Sequence, residues 1–179
     1  AGFSAPSLRD DQRRFASNSV WVLDAARRID DHATRTQGAP LNSGVAIHSL
    51  RAATPESMRA LVDAATGPIH IHVAEQTGEV SECLKVTGMR PVQWLAKHHA
   101  LDARWQLVHA THVTQEEIDA VARAGACAVI CPSTEANLGD GLFPAVEFIN
   151  EGGVLGIGSD SHVSLSVVEE LRWLEYGQR

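Results

Sequence analysis

The chain has 179 residues, a formal net charge of -7 at pH 7, and 44% hydrophobic against 21% charged residues. That length holds one domain with a substantial core but falls short of a complete (β/α)8 barrel. The acidic balance argues against nucleic acid as a partner. No apolar run approaches the ~18 residues of a membrane-spanning helix, and no basic, apolar leader opens the chain, so neither a membrane span nor a signal peptide is expected.

The first 43 residues carry one clear signal, the amphipathic helix around Val20-Trp-Val-Leu-Asp-Ala-Ala-Arg27; Thr34 to Asn42 reads as a polar loop. Beyond residue 44 the chain alternates. Val45–His48 is a strand, and Thr54-Pro55-Glu56 supplies an N-cap and a first-turn proline for a helix running to about Ala65. Gly67-Pro68 breaks it, and Ile69–Ala74 is the next strand. Helical stretches follow at Glu79–Val86 and after Gly88-Met-Arg-Pro91. Trp105–Ala110 is a third strand, and Thr114-Gln-Glu-Glu117 is a capping-box signature for a helix ending before Gly125. Cys127–Cys131 is a fourth strand, stopped by Pro132, with the Thr134–Asn137 segment read as a loop. Phe143–Asn150 is a short helix, Val154–Gly158 a fifth strand, and Ser164 onward the last helix. Near-continuous apolar strands alternating with helices indicate a parallel sheet buried on both faces. Both ends have the look of a cut: the chain opens without Met and closes inside a helical pattern, so it is expected to be part of a longer protein.

Three strands end in chemically capable residues. His70 and His72 alternate and so share one face, yet two histidines leave a zinc site short of ligands. Either can also be a satisfied polar residue of the sheet. Glu75 stands where the chain leaves that strand, the place for a carboxylate that moves a proton between water and a leaving nitrogen. His109 ends the third strand, and His112 lies just past it, suited equally to the exposed turn. Asp160 follows the Gly-rich end of the fifth strand, where backbone can approach closely; its alternative reading is an N-cap for the last helix. Cys83, Cys127 and Cys131 are odd in number and lack CxxC spacing, which fits a reducing compartment better than a disulfide framework.

In order and spacing, His72-Val-Ala-Glu75, Leu107-Val-His109-Ala-Thr-His112, Cys131-Pro-Ser-Thr-Glu-Ala-Asn-Leu-Gly-Asp-Gly141 and Gly158-Ser-Asp160-Ser-His-Val-Ser-Leu-Ser166 resemble the amidohydrolase superfamily, in its mononuclear zinc aminohydrolase branch. The resemblance covers about residues 44–179. It implies an α/β fold, the C-terminal part (about strands 4–8) of a distorted (β/α)8 TIM barrel. Residues 1–179 would form part of a metal-dependent hydrolase domain without the HxH pair of the barrel's first strand. No segment before residue 44 offers such a pair, since His32 stands alone. Reading His70-Ile-His72 as that pair would leave only three further strands and give Glu75 no role.

The resemblance further implies one Zn2+ per subunit, with His72 and Asp160 among its ligands and Glu75 and His109 as catalytic groups. His48 and Arg51 would bind substrate; without the resemblance, Arg51 reads equally as a solvated residue before a helix. The implied reaction is hydrolysis of the formimino carbon of N-formimino-L-glutamate to N-formyl-L-glutamate and ammonia, in histidine degradation. The implied partner is therefore a small, anionic, amino-acid-derived substrate, and the implied setting a cytoplasmic homodimer. Arg51 and the Thr134–Asn137 segment favour this acyclic substrate over a guanine-type heterocycle. A non-catalytic α/β module is the reading from a different class.

Overall fold

The computed structural model describes residues 8, 10–36, 41–162 and 164–179. The opening Ala-Gly-Phe, the middle of the expected 34–42 loop and Val163 lie outside them. Five strands, β1 (Val45–Ser49), β2 (Ile69–Val73), β3 (Trp105–His109), β4 (Cys127–Ile130) and β5 (Val154–Ile157), form a single sheet in chain order. The chain divides into two units, residues 1–70 and 71–179.

In the first unit, helix α1 (Ser19–Arg35) starts where the Asn18 side chain accepts the Trp21 amide at 2.9 Å. It runs past the expected stop, so Thr34 and Arg35 are helical and not loop; Thr34 Oγ1 turns inward onto the Asp30 carbonyl at 2.9 Å. The Asp30 carboxylate in turn accepts the amide and hydroxyl of Ser43 at 3.0 and 2.8 Å, fixing the approach to β1. Helix α2 (Pro55–Ala64) begins as its sequence requires, with the Thr54 hydroxyl accepting the Ser57 amide. Val45, Ile47, Leu50, Met58, Leu61 and Ile69 form the core here. The turn into β2 needs glycine at position 67, because a Cβ there would stand 1.9 Å from the Ser43 carbonyl oxygen.

The second unit carries α3 (Thr77–Thr87), α4 (Pro91–His98), α5 (Gln115–Ala124), α6 (Pro132–Leu138), α7 (Ala145–Asn150) and α8 (Val167–Gly177). β3 pairs with β4 and β4 with β5, both parallel, in the registers Leu107–Ala128 and Ala128–Leu155. Both halves of the expected capping box form on α5: Thr114 Oγ1 accepts the Glu117 amide and the Glu117 carboxylate accepts the Thr114 amide. Trp105, Leu107, Leu95, Ile130 and Phe148 are almost wholly buried. Among the described residues, no helix is long and apolar enough to cross a membrane.

Three further expectations change. The Thr134–Asn137 segment is not a loop but most of α6, whose first turn, Pro132, Ser133, Thr134 and Glu135, is buried. Apolar periodicity could not show a helix that buries polar residues. Asp160 does not cap the last helix, which begins at Val167 with the Ser166 hydroxyl accepting the Glu169 amide. Burial on both faces holds for β3 and β4 but not for β1 and β2, where alternate residues are buried, or for β5, where Val154 is 52% exposed. His48, His70 and His72 occupy the alternate positions of β1 and β2, and among the described residues β5 has a neighbour on one side only.

Candidate active site

The chemistry-bearing residues of the second unit gather where β2, β3 and β5 end. At these exits the backbone takes positive φ at five described non-glycine residues: Ala74 (51°), His109 (67°), Ala110 (48°), Asp160 (42°) and His162 (58°). Side chains disfavour this region, so surrounding bonds must enforce it, and such concentrations of strain accompany functional sites. The bonds are identifiable. Ala110 donates its amide to the Val73 carbonyl and His112 donates its amide to the Ala74 carbonyl, at 3.0 and 2.9 Å, locking the β2 and β3 exits together. His112 is thereby a half-buried link, with its own carbonyl taken by the Arg90 guanidinium. Arg90 is held in turn by the buried Glu117 at 2.9 Å.

His109 is the centre of the arrangement, with 1% exposure. Its Nδ1 lies 3.1 Å from the carboxylate of Glu135, itself buried, and its Nε2 faces Glu75 Oε1 at 3.7 Å. The His72 ring stacks on it, with centroids 5.6 Å apart and planes 27° from parallel. Burial is the largest single influence on His109 and opposes its charged form. The Glu135 hydrogen bond, together with the charges of Glu75, Glu135 and Asp160, outweighs it and holds the imidazole pKa above the ordinary histidine value. Cys131, nearby, is pushed up to about 12 by burial and by the charges of Glu135, Asp160 and Glu170. It stays a thiol and offers no nucleophile.

His72, Glu75, His109 and Asp160 therefore belong to one neighbourhood, with the exposed Asp160 joined through its charge on His109. His48 and Arg51 both lie in the first unit: His48 is exposed on β1 with Nδ1 3.0 Å from Ser49 Oγ, and Arg51 is half-buried in the turn that follows. The chain's donors suit zinc in kind, an imidazole at His72 and a carboxylate at Asp160. They fall short in number, for no three His, Cys, Asp or Glu among the described residues could hold a metal ion.

Sequence reasoning took Thr134–Asn137 as a loop favouring an acyclic substrate and missed the place of Glu135 beside His109. The structure turns Thr134 and Glu135 inward. Glu135 accepts the Cys131 amide at 2.9 Å as well as facing His109. The Thr134 hydroxyl contacts the Ser159 carbonyl at 3.2 Å and Ser161 Oγ at 2.9 Å, bracketing Asp160. The available signal was Pro132 at a helix start with a glutamate in its first turn.

Parallel apolar strands that end in His, Glu and Asp, alternating with helices, define the barrel class of α/β enzyme. The chain belongs to the amidohydrolase family, whose sequence model matches residues 19–179. It is 52% identical to the formimidoylglutamate deiminase of Pseudomonas aeruginosa, over 100% of this chain and 39% of that protein. The crystal structure of an amidohydrolase from Brucella melitensis superposes with a TM-score of 0.90 at 46% identity, covering 99% of this chain and 40% of that one. A zinc-bound adenosine deaminase from Xanthomonas campestris shares the fold, with a TM-score of 0.76 at 24% identity over 85% of this chain and 36% of that one. The chain thus spans about two fifths of the length of the relatives it matches.

Proposed function

We propose that the protein carrying this sequence deiminates N-formimino-L-glutamate by hydrolysis, releasing N-formyl-L-glutamate and ammonia, as a step in histidine degradation. The observation that supports the reaction class is the line Glu75–His109–Glu135, a buried imidazole set between two carboxylates that raise its pKa above the ordinary histidine value. The substrate rests on the 52% identity to formimidoylglutamate deiminase along the whole chain.

His72 and Asp160 are assigned to one zinc ion per subunit. Bound there, zinc would supply Lewis acidity, which makes a water acidic enough to ionise near neutral pH. The remaining roles fall to this chain's own side chains. The 3.7 Å between His109 Nε2 and Glu75 Oε1 is too long for a direct hydrogen bond and suits two groups that face one intervening oxygen. Glu75 takes the proton of the attacking water and returns it to the amidine nitrogen, which leaves as ammonia. His109 donates from Nε2 to the attacking oxygen while Glu135 holds its opposite edge, so the ring cannot turn away. Arg51 and His48 are assigned to the substrate, Arg51 taking its carboxylate, where a guanidinium makes two parallel charge-assisted bonds. The partner is accordingly a small anionic substrate.

The test is ammonia release by the zinc-loaded, relative-length protein from N-formimino-L-glutamate, with guanine in parallel. Turnover of the linear compound alone is expected, with Glu75→Gln lowering kcat by about 10²–10⁴-fold. Turnover of guanine alone would discard the substrate, and an unchanged Glu75→Gln rate would discard the mechanism.

A further inference from the structure

A second carboxylate stands behind Glu75. Glu79, on the first turn of α3, is 3% exposed and faces back toward the strand exit. Its Oε1 accepts the Ala74 amide at 3.0 Å and its Oε2 the Glu75 amide at 3.1 Å. One carboxylate therefore holds two successive backbone N–H groups, on either side of the peptide unit that delivers Glu75. Two carbonyls of that stretch are taken as well: that of Val73 by Ala110 and that of Ala74 by His112. Ala74 is fully buried at φ 51°, a conformation that a residue with a Cβ does not hold without such bonds.

We propose that Glu79 is the positioning residue for the catalytic base: its carboxylate fixes the Ala74–Glu75 backbone so that Glu75 faces His109. This rests on the assignment of Glu75 as the base. Two features separate it from ordinary capping. A Glu three residues into a helix usually reaches back to the N-cap amide, which here belongs to Gln76. Glu79 instead reaches past Gln76 to the two residues before it, where α3 has nothing to gain from the bond. The bidentate geometry also fixes orientation as well as distance, because each carboxylate oxygen takes a different amide. Displacing a catalytic group by about 1 Å is enough to cost ~10²-fold in rate.

A double-mutant cycle on the zinc-loaded, relative-length enzyme tests this. Glu79→Gln keeps the side chain's size but places an amide donor against one of the two backbone donors. It is expected to lower kcat about 10- to 100-fold on N-formimino-L-glutamate, with KM within about twofold and zinc content unchanged. In the Glu75→Gln background the same change is expected to cost less than about twofold of the residual rate, since the group being positioned is already gone. If Glu79→Gln does not yield folded protein, Glu79→Asp, one methylene too short to span both amides, replaces it in the same cycle. Equal losses in the two backgrounds, or a fall in Tm with kcat intact, would overturn the positioning role. If Glu75→Gln alone leaves turnover unchanged, the base assignment falls first, and the role of Glu79 with it.

Discussion

His109 shows what one buried side chain needs in order to be useful. An isolated imidazole in a low-dielectric site loses its charge; here two carboxylates and a third charge at Asp160 reverse that preference. Because the folded-state pKa lies above the ordinary 6.5, the stability that this charge contributes is fully present below that value. It is lost as pH rises through the folded-state pKa. Glu135→Gln removes the hydrogen-bonded partner, so in the metal-free protein the His109 ring is expected to lose its proton at lower pH. Imidazole NMR titration reads this directly. In urea unfolding the deficit of the variant is expected to be largest near pH 6 and to shrink toward alkaline pH, where both proteins hold a neutral ring; a deficit constant with pH would contradict the account. Glu75, His109 and Asp160 were legible because each ends an apolar strand. Glu135 was not, because it lies 26 residues from His109 and nothing in the local pattern joins them.

At the scale of elements, four buried glutamates recur in one role. Glu79 on α3, Glu117 on α5, Glu135 on α6 and Glu170 on α8 each accept backbone amides of a segment next to a strand end. Glu170 takes both the amide and the hydroxyl of Ser133, tying α8 to the start of α6. Strand exits leave amides that neither ladder nor helix satisfies, and a glutamate on a neighbouring helix is long enough to reach them. Helices with such ends were readable where a Ser or Thr cap preceded them. Thr114→Ala is expected to cost about 1 kcal/mol in chemical denaturation, through loss of the capping hydroxyl. Its other half remains, since Glu117 still accepts the Thr114 backbone amide. A change below a few tenths of a kcal/mol would mean that Arg90 and Glu117 hold this end without help. The short α6 escaped detection for the opposite reason: its buried first turn is mostly polar, so the signal lies in its partners.

For the chain as a whole, the sheet is unevenly covered. On β5, Val154 is 52% and Ile157 37% exposed, and Val167, Val168, Leu171 and Tyr176 of α8 are also open to solvent. A flat apolar edge strand pairs readily with another chain. The 179-residue chain alone is accordingly expected to self-associate in sedimentation velocity, and Val154→Lys to shift it toward monomer. A monomeric wild-type chain at about 100 μM, well above ordinary assay concentrations, would count against this.

The alternation of strand and helix, the caps at Thr54 and Thr114, and the acids and imidazoles at strand ends were all written locally. Each depends on residues within a turn or a strand of one another, where side-chain periodicity and capping act. The clamp of Glu79 on Ala74 and Glu75, the Glu135 partner of His109, the Thr134 bracket around Asp160 and the open flank of β5 depended on folding. Those groups meet through long-range packing, and a buried carboxylate takes whichever donors the assembled strand exits leave unsatisfied. A linear pattern of residues carries no record of that remainder.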